Sequence, residues 1–114
     1  MVYILLAVNV VLLVTGQVLW KYGLDKLGGL NAGNWLQVIT SFPILAGLVL
    51  YVVATGIWFV ILSRVNLSVA YPMQSIAYVL GMVAGFIFFK EAIPLNGWLG
   101  GLLVIMGVWL IAVR

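Results

Sequence analysis

Four runs of about twenty apolar residues dominate the sequence, each long enough to cross a hydrocarbon core about 30 Å thick as a helix. Every formally charged side chain falls between these runs or at their ends. The first run extends from Val2 to Trp20, with Asn9, Thr15 and Gln17 as its polar interruptions. The second extends from Pro43 to Leu62, with proline in the first turn, where its missing N–H costs nothing. The third spans about Leu67 to Phe89 and the fourth about Pro94 to Val113. Between the first two, Asn31 to Ser41 mixes Trp35, Leu36, Val38 and Ile39 with polar residues and reads as a short interfacial segment. The charges are Lys21, Asp25, Lys26, Arg64, Lys90, Glu91 and Arg114. A charge at a helix centre costs about 3 kcal/mol on insertion, so their placement supports these boundaries. A membrane barrel would need apolar–polar alternation of period two, which the runs lack. The expected fold is an all-α membrane protein, residues 1–114 forming a single domain of four transmembrane helices.

Composition narrows the function. Apolar residues make up 67% of the chain, against five basic and two acidic ones. That is too little polar surface for a soluble domain. The basic excess is small and scattered, which argues against nucleic acid. There is no cysteine and no histidine, so a disulfide framework is excluded and the commonest metal ligand and general base are missing. No nucleophile–base pair, metal cluster or phosphate loop stands out, and no enzyme activity, metal or cofactor is expected. The N-terminal run lacks a basic flank and outlasts a signal-peptide core, so it is expected to remain as a span.

Four spans would put both termini on one side. Lys21, Lys26 and Lys90 then mark one face, while Arg64, Arg114 and the N-terminal amine mark the other. This near tie weakens the positive-inside signal. Either a slight bias selects one orientation, or the chain inserts both ways and pairs with an inverted copy. Trp20, Tyr22, Trp35 and Trp98 fall at the first face, with Tyr3 and Trp109 nearer the second.

Helical periodicity groups the polar residues inside the spans. Asn9, Leu13 and Gln17 share a face of the first helix, and Lys21 follows one turn later. Tyr51, Thr55 and Trp58 align on the second. Tyr71, Gln74, Tyr78, Gly81 and Gly85 form one stripe on the third. Amides in a span turn toward other helices because lipid offers them no partner, so these faces suit either packing or a polar cargo. Gly81 and Gly85, like Gly97 and Gly101, have the spacing that lets helices approach closely; Gly100 and Gly107 are seven apart. These six glycines are assigned to helix packing or a dimer contact. No Asp or Glu lies within a span; Asp25 and Glu91 are read as loop residues. A proton-coupled cation exporter would want such a carboxylate.

Three stretches carry a resemblance. Gly16-Gln17-Val18-Leu19-Trp20-Lys21, Leu67-Ser68-Val69-Ala70-Tyr71-Pro72-Met73, and the tail from Lys90-Glu91 through Pro94, Gly97, Gly101 and Gly107 resemble, in order, small members of the drug/metabolite transporter superfamily. The tail is similar to the closing helix of an EamA-type repeat. Small multidrug resistance exporters carry an essential glutamate in helix 1, which by position falls at about Leu13 here. The chain is more similar to the subunits thought to flip aminoarabinose-phosphoundecaprenol, notably in the Gln17 to Lys21 signature and in Ala70-Tyr71-Pro72-Met73. The resemblance implies a small multidrug resistance-like antiparallel dimer of four-helix subunits in the bacterial cytoplasmic membrane, either a homodimer or a heterodimer with a related subunit. It also places Tyr71 at the family's site tyrosine, and Gln74 where drug exporters carry a tryptophan.

The leading expectation is therefore a multi-pass transporter or flippase for an amphiphilic, anionic substrate such as a polyprenyl-phosphate-linked sugar. Lys21 would meet the phosphate; Asn9, Gln17, Gln74 and Tyr71 would hydrogen-bond the head; Tyr51, Trp58 and Tyr78 would line the cavity. Two alternatives stay open: export of hydrophobic cations bound to aromatic faces, and a non-transporting subunit that needs a partner. Besides its substrate and partner subunit, the chain is expected to meet membrane lipids and no nucleic acid.

Overall fold

The computed structural model describes residues 2–113. Among them the chain is built from helices and turns, with no strand: α1 Val2–Lys26, α2 Trp35–Ile39, α3 Phe42–Leu62, α4 Leu67–Gln74, α5 Ile76–Phe88 and α6 Leu95–Ala112. The stretch Leu67–Phe88 together with α1, α3 and α6 gives four segments long and apolar enough to cross a bilayer. The protein is an all-α membrane protein of four transmembrane helices. Arg114 and the N-terminal amine, counted above toward one face, lie outside the described residues.

The first helix continues past Trp20 to Lys26, because nothing stops it until Gly28 and Gly29, whose φ angles of 77° and 93° need a residue without Cβ. Asp25 is therefore a helical residue and not the loop residue expected. It sits one turn from Lys21, with 3.3 Å between Nζ and Oδ1. The connection to α3 is held by Asn34, whose amide nitrogen donates to the Leu27 and Gly29 carbonyls at 3.3 and 2.8 Å. Of the segment read as interfacial, only Trp35–Ile39 is helical.

The tightest packing is α1 against α3. Gly16 and Gly47 let the two backbones meet: a Cβ on Gly16 would stand 3.4 Å from the Gly47 carbonyl. The Trp20 indole lies over Gly47 and donates to the Ile44 carbonyl at 3.1 Å. Gly23 closes the same seam against Pro43 and Ile44. In a bilayer, such close approach replaces the hydrophobic drive that holds soluble helices together. At the opposite membrane face, Ile61, Ala70 and Leu6 form a buried apolar cluster.

The third span, Leu67–Phe88, has a local irregularity at Ser75, which keeps helical dihedral angles. Pro72 has no N–H to offer the preceding turn. The backbone tightens instead: the Ser75 N–H donates to the Pro72 carbonyl at 3.0 Å, and the Tyr78 N–H to the Ser75 carbonyl at 2.9 Å. The last helix is peripheral, packing mainly on α4 and α5, where Gly101 meets the Met82 side chain.

Candidate functional site

The polar faces of α1, α3 and α4–α5 enclose a series of connected hollows. The first, of about 360 Å³, is lined by Asn9, Leu13, Tyr51, Thr55, Trp58, Tyr71 and Gln74, among others. The second, of about 520 Å³, shares Leu13, Tyr71 and Gln74 with it and adds Gln17, Ser75, Tyr78 and Gly81. A third, of about 190 Å³, shares Gln17 and Gly81 with the second and reaches Lys21, Gly85 and Glu91. Shared walls make one groove. The stretch from Asn9 to Lys21 covers about 18 Å of α1, so the groove runs from mid-membrane to the head-group level. Tyr71 and Tyr78, at 60% and 71% exposure, show that it is open on one side.

Asn9 holds the middle together. It is 1% exposed, and its amide nitrogen donates to the Ala54 carbonyl of α3 at 2.6 Å. Its oxygen accepts from Gln74 Nε2 at 3.0 Å. Asn9, expected as a substrate contact, lines the first hollow with each amide atom holding one bond within the protein. The Gln74 Oε1 has no partner among the described residues and borders both larger hollows. Aromatic pairs stiffen the walls: Trp58 meets Tyr71 edge-on at 6.5 Å between ring centres, and Trp20 meets Tyr51 at 6.1 Å.

All eight residues expected at a substrate site lie along this groove: Asn9, Tyr51, Trp58, Tyr71 and Gln74 in the first hollow, Gln17 and Tyr78 in the second, and Lys21 at the mouth. Leu13 stands where the larger hollows join, so their lining offers no carboxylate or cation. The glycines divide. Gly101 packs between helices, Gly97 meets Ile93 of its own connection, and Gly85 faces the Glu91 carboxylate. Gly81, Gly100 and Gly107 have open space where a Cβ would go. The glycines that bring helices together, Gly16, Gly23 and Gly47, were not among those expected; the seven-residue spacing of Gly16 and Gly23 was the available signal. Glu91 was also unexpected here. The left-handed Lys90, φ 54°, turns the chain after α5 so that the Glu91 N–H donates to the Gly85 carbonyl at 3.2 Å.

The chain is similar to curated bacterial proteins along nearly its whole length. It is 32% identical over 112 residues to the probable 4-amino-4-deoxy-L-arabinose-phosphoundecaprenol flippase subunit ArnE of Aeromonas salmonicida, covering 95% of this chain and 94% of the relative. It is 32% identical over an alignment of 120 positions to the corresponding subunit ArnF of Photorhabdus laumondii, covering 96% and 95%. An ArnE subunit of Pseudomonas fluorescens is 37% identical over 99 residues, covering 84% and 83%. No protein-family profile matches the chain, and no solved structure matches it.

Proposed function

The chain belongs to the family of 4-amino-4-deoxy-L-arabinose-phosphoundecaprenol flippase subunits, and from that premise we propose that it carries the head group of a polyprenyl-phosphate-linked aminosugar across the bilayer. It is a multi-pass protein of the bacterial inner membrane. The observation that carries the proposal is the continuous groove, whose polar residues are uncharged at mid-depth and which reaches a lysine only at its mouth. A sugar needs hydrogen-bonding groups and stacking surfaces throughout its passage, because hydrocarbon supplies neither. Gln17, Gln74, Tyr71 and Tyr78 supply the first; Tyr51 and Trp58 supply the second. Lys21 meets the phosphate at the head-group level, while the polyprenyl chain stays in lipid through the open side. With no acid at mid-depth, movement follows the lipid's own gradient, sustained by consumption on the far side. The work is transport, with no bond made or broken.

The open side also calls for a second wall. The relatives are named as subunits of two kinds, both similar to this chain. A related four-helix subunit, a paralogue rather than an identical copy, fits that naming, and an antiparallel arrangement would set two grooves face to face.

The test uses proteoliposomes holding the chain with a related subunit from the same bacterium. Movement of an undecaprenyl-phosphate aminosugar is read by the access of its amine to an impermeant reagent. Movement above that of protein-free vesicles is expected, and Lys21→Ala should slow it about tenfold, the worth of a charge-assisted bond, without reducing the inserted protein. No movement would overturn the proposal; an unaffected Lys21→Ala would remove Lys21 from it.

A further inference from the structure

We propose that Glu91 is the ammonium-binding residue of the groove's mouth, so that the site selects a head group carrying a primary amine beside its phosphate. This deepens the flippase reading and rests on it. Glu91 follows α5 in the connection to α6, where a solvated glutamate would extend into water. Glu91 stays exposed, but its side chain folds back over Gly85. The Lys90 turn and the Glu91 N–H bond to the Gly85 carbonyl set the direction, and the carboxylate lies against Gly85 where any Cβ would strike Oε1. A side chain at position 85 would push the flexible end of Glu91 away.

The carboxylate lines the same small hollow as Gln17 and Lys21. It makes no hydrogen bond or ion pair among the described residues, while Lys21 pairs with Asp25 at 3.3 Å. The mouth thus offers a carboxylate with no cation, an ammonium shared with Asp25, and an amide, walled by Val14, Val18 and Phe89. A neutral sugar phosphate would use the lysine and leave the exposed carboxylate to water, with its negative charge near the phosphate. A zwitterionic head, phosphate toward Lys21 and ammonium toward Glu91, satisfies both. The preference comes from the charge-assisted bond that only the amine can form and from the repulsion between carboxylate and phosphate that its positive charge relieves.

The experiment is calorimetric titration of the purified two-subunit complex with short-chain polyprenyl-phosphate lipids. One carries the aminopentose, one the hydroxyl counterpart, and one the same amine N-acetylated. The native complex should bind the amine form about tenfold more tightly than either other lipid. Glu91→Gln should bring the three affinities together while leaving the hydroxyl lipid unchanged, and Gly85→Ala, which displaces the carboxylate, should do the same. Equal native affinities for the amine and acetylated lipids would overturn the inference without need of any variant. So would a Glu91→Gln complex that keeps its preference, or one that loses all three lipids together. Phosphatidylethanolamine abolishing the preference by competition would overturn it too, by assigning the site to a bulk lipid amine. Failure of the native complex to bind any of the lipids would instead count against the flippase reading.

Discussion

Asn9 shows how a single amide can be committed by its surroundings. At 1% exposure in an apolar environment, its two ends are bonded to the Ala54 carbonyl and the Gln74 amide. Gln74→Ala therefore removes one hydrogen bond and strands the buried Asn9 oxygen. Asn9→Leu removes the buried amide and leaves the Gln74 Nε2 without its acceptor. The double variant is expected to lose about 1 kcal/mol less than the sum of the single losses, measured by reversible unfolding in mixed micelles. Strict additivity would show that the pair is not coupled. Lys21 and Gln17 differ in kind: they are exposed at the groove's mouth, where substitution changes what can bind more than whether the chain folds.

Among the elements, the α1–α3 seam carries most of the packing, and its glycines are not interchangeable with others in the same helices. A methyl group on Gly47 would run into the Trp20 indole, whereas one on Gly56 meets open space. Gly47→Ala is expected to destabilise by about 2 kcal/mol through overpacking. Gly56→Ala should be neutral or slightly stabilising, since alanine favours the helix. Thermal melting in detergent separates the two, and equal melting points would contradict the seam. The faces that converge on the groove were legible because helical periodicity is local: Tyr71, Gln74, Tyr78 and Gly81 share a stripe whatever the partner helix is. The pairing of Gly16 with Gly47 was not, because it depends on how two distant segments cross. Apolar length alone does not register the tighter turn at Ser75 within the third span. Glu91 is the exposed loop residue that its position suggests, but sequence position carries no trace of the Lys90 turn that folds it back over Gly85.

For the whole molecule, one half of a passage is complete and its lateral side is open. Only 6% of the apolar window of α6 is buried, and Tyr71 and Tyr78 present their rings outward from the groove wall. Lipid can cover α6, but the sugar's route needs a polar counterpart, which a second subunit would supply. Leu13 is the critical place: it borders both larger hollows, whose lining offers no carboxylate or cation. The natural sequence has no cysteine, so Leu13→Cys introduces a single reporter thiol there. The most direct measurement is its alkylation by a small water-soluble reagent in the two-subunit complex, with and without the polyprenyl-phosphate aminosugar. If the head group travels this groove, the thiol reacts readily and the lipid slows the reaction about tenfold, as expected when a bound ligand occupies most sites. A thiol that is inert, or reacts equally with and without the lipid, would contradict that route.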